Sequence, residues 1–88
     1  MQTNSFDIIV SGYDSQDEAD LIRLLKTLGC RDMVLTSSIE VGPILIAARD
    51  GFSTEDKQTY KRNMENLTLS IYRHVSKPRT IDFSYGDT

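Results

Sequence analysis

Cys30 and His74 are the only cysteine and the only histidine in the chain, and they are the side chains best suited to covalent or acid–base chemistry. A thiol beside an imidazole becomes an activated thiolate when an oxyanion donor faces it, so a thiol-dependent reaction is the one catalysis these residue types permit. No spacing in the sequence brings the two together. A simpler reading makes Cys30 a small apolar residue packed behind a helix-closing Gly29, and His74 a cation that complements the negative end of a helix. One cysteine forms no internal disulfide and is too few for a thiolate zinc site, and one histidine supplies no paired imidazoles.

The remaining polar clusters have structural explanations. Asp14, Asp17, Glu18 and Asp20 lack the spacing of a calcium loop and suit the positive start of a helix. Gly12, Gly29, Gly42, Gly51 and Gly86 are followed by Tyr, Cys, Pro, Phe and Asp, which excludes a phosphate loop and a dinucleotide fingerprint. Asn66-Leu67-Thr68 matches a glycosylation pattern but falls inside a predicted helix. The sequence therefore assigns no catalytic, cofactor-binding or metal-binding residue, and the expectation is a protein that is not an enzyme and needs no cofactor.

The 88 residues make one small domain with a single core, and the ends, 1–5 and 86–88, are expected to be loose. Hydrophobic residues at 39% and charged residues at 26% describe a folded globular chain, which excludes disordered and fibrous classes. No apolar run approaches the ~20 residues of a membrane span, and the start MQTNSFD has no basic-then-apolar leader, so a cytoplasmic protein without a membrane partner is expected. The net charge of −3 argues against a general nucleic-acid binder. The charge is uneven: residues 1–48 carry −4, residues 49–79 carry +3, and Asp82 and Asp87 add −2.

Residues 6–11 alternate Phe6, Ile8 and Val10 against Asp7, Ile9 and Ser11, the period of a strand. Ser15 and Glu18 stand at capping-box spacing, and Leu21, Leu24, Leu25 and Leu28 share one face of a helix predicted over about 16–28, closed by Gly29. Residues 32–36 and 43–49 read as two strands joined by a hairpin loop over 37–42. Ser53 and Asp56 open a second helix that runs to His74 or Val75, with Tyr60, Met64, Leu67 and Ile71 inward. After Pro78, residues 80–85 alternate Ile81, Phe83 and Tyr85 against Asp82 and Ser84, giving a last strand.

The order β-α-β-β-α-β is the split βαβ plan of ferredoxin-like α+β folds, in which two helices cover one face of a four-stranded antiparallel sheet. Its first and third strands are central, and the two most apolar predicted strands occupy those places. The competing arrangement leaves residues 80–88 as a tail. With Phe6, Ile8 and Val10 toward the helices, the expected open face carries Ile9, Leu45 and Ala47 beside Ser11 and no aromatic residue, which excludes the base-stacking surface of an RNA-recognition domain. The loop Ser11-Gly12-Tyr13-Asp14 also lacks the arginine with which acylphosphatases of this topology grip phosphate.

Two surfaces remain for function. The first is the expected apolar patch of Ile9, Leu45 and Ala47, suited to a homodimer or a docked protein. The second is the outer face of the second helix, where Leu69 opposes the inward residues and Arg62, Glu65, Tyr72 and Arg73 surround it; leucine, tyrosine and two arginines are a composition common at the centre of interfaces. The sequence thus points to a small protein-interaction module, an adaptor, regulator or inhibitor of a larger protein. The alternative is a small-ligand sensor with its site at the Gly12 loop or a dimer interface.

Overall fold

The computed structural model describes residues 5–50, 57–76 and 78–85. Four strands, β1 (Ser5–Ser11), β2 (Cys30–Ser38), β3 (Gly42–Asp50) and β4 (Thr80–Tyr85), and two helices, α1 (Glu18–Thr27) and α2 (Lys57–His74), follow one another in the order β1-α1-β2-β3-α2-β4. The strands form one antiparallel sheet in the order β2-β3-β1-β4, the ferredoxin-like arrangement with β1 and β3 central. Residues 80–85 are thus a strand paired along β1 and not a tail. Strand β1 begins one residue earlier than expected, at Ser5, and the expectation of loose ends otherwise lies outside the described residues. The expected cap at Ser53 and Asp56 lies outside the described residues.

Both helices lie on the same side of the sheet. Leu21 and Leu25 from α1, and Leu67 and Ile71 from α2, are buried with Phe6, Ile8 and Val10 of β1. Their helical spacing puts each pair on one stripe, and the alternation of β1 presents its three apolar residues to that stripe. Phe6 and Phe83 extend the core toward the β4 edge, with ring centroids 6.1 Å apart at 48°.

Strand β3 corrects the sequence expectation. Leu45 and Ala47 are fully buried against the helices and do not lie on the open face. The register explains this: Val10 stands opposite Leu45 and Ile8 opposite Ala47, and residues directly opposite each other share a face. Ile9 is paired with Ile46 and Ser11 with Ile44, so those isoleucines occupy the open side. The run Ile44-Leu45-Ile46-Ala47-Ala48 is apolar at both parities, so its sequence has no alternation to orient it, and a one-residue error reverses every side chain.

The start of α1 also differs. A 3₁₀ turn over Ser15–Asp17 precedes the helix and is capped by Asp14, whose Oδ1 accepts the Gln16 N–H at 3.0 Å, while Asp17 at the start of α1 itself makes no side-chain capping bond. Glu18 does not close a capping box with Ser15; its Oε1 accepts the Tyr13 hydroxyl at 2.9 Å. Tyr13 is buried, and the carboxylate gives its hydroxyl the partner that burial demands. At the other end of α1, the Arg49 Nε–H donates to the Leu28 carbonyl at 2.7 Å, answering an otherwise free group at the helix terminus.

Gly12 joins three parts of the fold. Its N–H donates to the Pro43 carbonyl at 2.9 Å, and the neighbouring Ser11 carbonyl accepts the Arg79 N–H at 2.8 Å. Its φ is +74°, and a Cβ there would stand 2.4 Å from the Cβ of Arg79. Only glycine combines that backbone conformation with so close an approach.

Candidate contact surfaces

Cys30 and His74 belong to different ends of different elements. Cys30 opens β2, buried opposite Arg49; burial raises its thiol pKa, and the charge of Arg49 offsets only part of that rise. His74 ends α2, exposed, with its Nδ1–H donating to the Ser70 carbonyl at 2.9 Å, since a carbonyl oxygen can only accept. No hydrogen bond joins the two side chains. Among the described residues no group of three or more His, Cys, Asp or Glu is placed to hold a metal ion, and no helix is long and apolar enough to cross a membrane.

The open sheet face is built in rows. Across the strands from β2 to β4, one row is Arg31, Ala48, Asp7 and Ser84; the next is Val34, Ile46, Ile9 and Asp82; the third is Thr36, Ile44, Ser11 and Thr80. Of the residues expected there, Ile9 is in place, half-buried among its neighbours, while Leu45 and Ala47 are replaced by Ile44 and Ile46. The central apolar stripe is bordered by Asp7, Asp82 and Arg31, and the Ser11 and Thr80 hydroxyls bond to each other at one end. Arg31 grips Asp50 through Nη2 at 2.6 Å and Nε at 3.3 Å, and also meets Asp32. These contacts hold the Asp50 carboxyl below the usual carboxylate range and strengthen the proton affinity of the guanidinium. The pair is exposed, so its net worth is small. No aromatic side chain lies in these rows.

On α2 the inward side chain expected at Tyr60 lies outside the described residues, and the positions beyond it separate into buried and exposed. Leu67 and Ile71 are buried and Met64 is half-buried, whereas Leu69 is 54% exposed and Tyr72 42%. Arg62 and Arg73 are exposed and fall within about 40° of Leu69 around the helix axis. Beside this stripe, a groove of about 570 Å³ opens between α2 and β4, lined by Lys61, Met64, Glu65, Thr68, Leu69 and Phe83. Leu69 stands at its rim and Phe83 is contributed by the edge strand. The helix wheel identifies Leu69 but not the groove, because Phe83 reaches it only through the pairing of β4 with β1.

The Gly12 loop is spoken for by packing. Arg79 lies over its bare Cα, and the Arg79 guanidinium donates from Nη1 to the Glu40 carbonyl at 2.8 Å, tying the hairpin to the approach of β4.

No family model matches this chain, and no curated protein does. Among solved structures, the chain is similar to a dimeric ferredoxin-like protein from an uncultured marine organism. The two share 14% identity over 99% of this chain and 90% of that one, with a TM-score of 0.38, a likeness too slight to bear on function.

Proposed function

We propose that this protein is a non-enzymatic interaction module, an adaptor, regulator or inhibitor that binds a larger protein through the groove between α2 and β4. The supporting observation is the combination of an apolar groove, lined by Met64, Leu69 and Phe83, with Tyr72, Arg62 and Arg73 exposed next to its rim. An anchor side chain filling such a groove and a ring of aromatic and arginine contacts around it concentrate binding energy in few residues. Lys61, Arg62 and Arg73 outnumber Glu65 along this stripe, so the complementary segment carries an apolar anchor flanked by acids. Ile9 and the open sheet face form a second, weaker contact area, because its isoleucines are half-buried and its borders charged.

The test is selection of binders from a random peptide library, followed by amide chemical-shift mapping. Selected peptides should be rich in apolar and acidic residues and should perturb residues 61–73 and Phe83. Shifts confined to Ile9, Ile44 and Ile46 would transfer the function to the sheet face.

A second reading is supported by the size of the groove, which falls in the ~300–1,000 Å³ range of small-molecule sites. In this reading the occupant is a small apolar ligand, and the sensor site lies at α2 and β4, not at Gly12. A compound that raises the melting temperature in a thermal-shift screen, and loses that effect in Leu69→Ala, would favour it.

A further inference from the structure

The β2 edge lies at the opposite side of the sheet from the groove, and its composition differs from that of an ordinary edge strand. It has a strand neighbour on one side only. Between Asp32 and Glu40 the sequence Met33-Val34-Leu35-Thr36-Ser37-Ser38-Ile39 contains no charge and no proline. Val34 and Leu35 are about half exposed on opposite faces of the strand, and Ile39 is fully exposed at the hairpin tip. Natural edges are guarded by lysine, proline or short length; here the one guard is the irregularity between Arg31 and Val34, with Asp32 at φ 54°, which leaves residues 34–38 unprotected.

The direction of the free backbone groups follows from the neighbouring bonds. The Pro43 carbonyl accepts from Gly12, so it points toward β1. Its partner across the hairpin, Ser37, therefore turns its N–H and C=O away from β3, and by alternation Leu35 does the same. Leu35 and Ser37 thus offer two donors and two acceptors to an incoming strand.

We propose that a second copy of this chain occupies that edge, β2 pairing antiparallel with β2 about a two-fold axis at Leu35, to give a continuous eight-stranded sheet. A copy of the same strand is suited to it for two reasons. The segment carries no charge to repel itself. Leu35 faces Leu35 on the helix side and Val34 faces Thr36 on the open side, and exposed apolar area is covered on both. A register centred one residue later, at Thr36, would set Asp32 against Glu40, which favours the Leu35 centre. One strand edge of five residues, about 17 Å long, covers less than the ~1,200 Å² of a standard interface, so the dimer forms and dissociates with concentration. The two β4 edges then lie about 34 Å apart at the outer ends of the joined sheet.

The experiment is sedimentation velocity from about 5 to about 500 μM, paired with amide hydrogen exchange at both limits. A monomer–dimer equilibrium is expected, with the Leu35 and Ser37 amides gaining protection in the dimer while the inward Thr36 amide is unchanged. Ser37→Pro removes only an outward donor and should weaken dimerisation about tenfold or more. Leu35→Lys, at an exposed position, should do the same with a native circular dichroism spectrum, and serves if the proline variant does not fold. A chain that stays monomeric throughout overturns the proposal. So does a dimer in which Leu35 and Ser37 exchange as in the monomer, or one that persists in a folded Leu35→Lys.

Discussion

Strand β3 and helix α2 each set apolar residues with opposite surroundings close together in sequence. On β3, Leu45 is fully buried and its neighbour Ile46 lies on the open face; on α2, Leu67 is buried and Leu69, two positions on, is half exposed. In the strand the change is abrupt, since adjacent side chains point to opposite faces. In the helix it is graded, since each residue turns about 100° and the stripe between core and solvent includes half-buried positions such as Met64 and Thr68. The strand therefore separates core from surface sharply, whereas the helix grades one into the other. Its transition zone beside Phe83 is where the groove forms.

Substitution should reproduce this difference. The largest effect is expected on β3: Leu45→Asp buries an unpaired carboxylate and should abolish the native circular dichroism spectrum, because the penalty of several kcal/mol is comparable with the whole stability of a small domain. Ile46→Asp, one residue away, should still fold, with a melting temperature lowered by only a few degrees. If Ile46→Asp unfolds the protein and Leu45→Asp does not, the face assignment is reversed. On α2 the contrast is smaller: Leu67→Ala should lower the free energy of urea unfolding by roughly 2–5 kcal/mol through loss of buried methyl groups and the cavity left behind. A loss much below that would place Leu67 nearer the surface.

Tyr13, between β1 and α1, extends the comparison to pH. Burial, the hydrogen bond to Glu18 and its negative charge together push the phenol up to about 12 from an ordinary value of 10.0. The unfolded chain then gives up this proton first, so stability is intact below pH 10 and declines as pH rises from about 10 to about 12. Tyr13→Phe should flatten part of that decline, measured as urea unfolding at pH 8 and pH 11. An unchanged alkaline slope would mean that the phenol ionises as freely in the folded protein as in the unfolded chain.

The parity of β1 and the outward residues of α2 were legible from sequence because each rests on a periodic pattern with polar residues to orient it, and the central places of β1 and β3 because these are the two most apolar strands. In β1, Asp7 and Ser11 mark the parity that buries Phe6, Ile8 and Val10. In α2, Arg62, Glu65 and Arg73 mark the outer side around Leu69. Ile44 to Ala48 contain no such marker, so the side taken by Leu45 and Ala47 depends on pairing with β1, a contact between distant residues. The start of α1 differs from its expected capping box for a related reason: Asp14, Ser15 and Asp17 are all suitable capping residues, and the sequence does not show that a 3₁₀ turn capped by Asp14 precedes the helix or that Glu18 is engaged by Tyr13. The groove required β4 to bring Phe83 beside α2, and the openness of the β2 edge required knowing which strands end the sheet.

Leu69→Ala is the most direct test of the contact site, because its effect on stability and its effect on binding are expected to differ most. Its free energy of unfolding should fall by only about 0.5 kcal/mol, as at other exposed positions. Its affinity for a peptide selected on the native protein, measured by isothermal titration calorimetry, should fall about tenfold, a loss of roughly 1.4 kcal/mol. A stable Leu69→Ala variant that binds the peptide with undiminished affinity would contradict the assignment of function to the groove between α2 and β4.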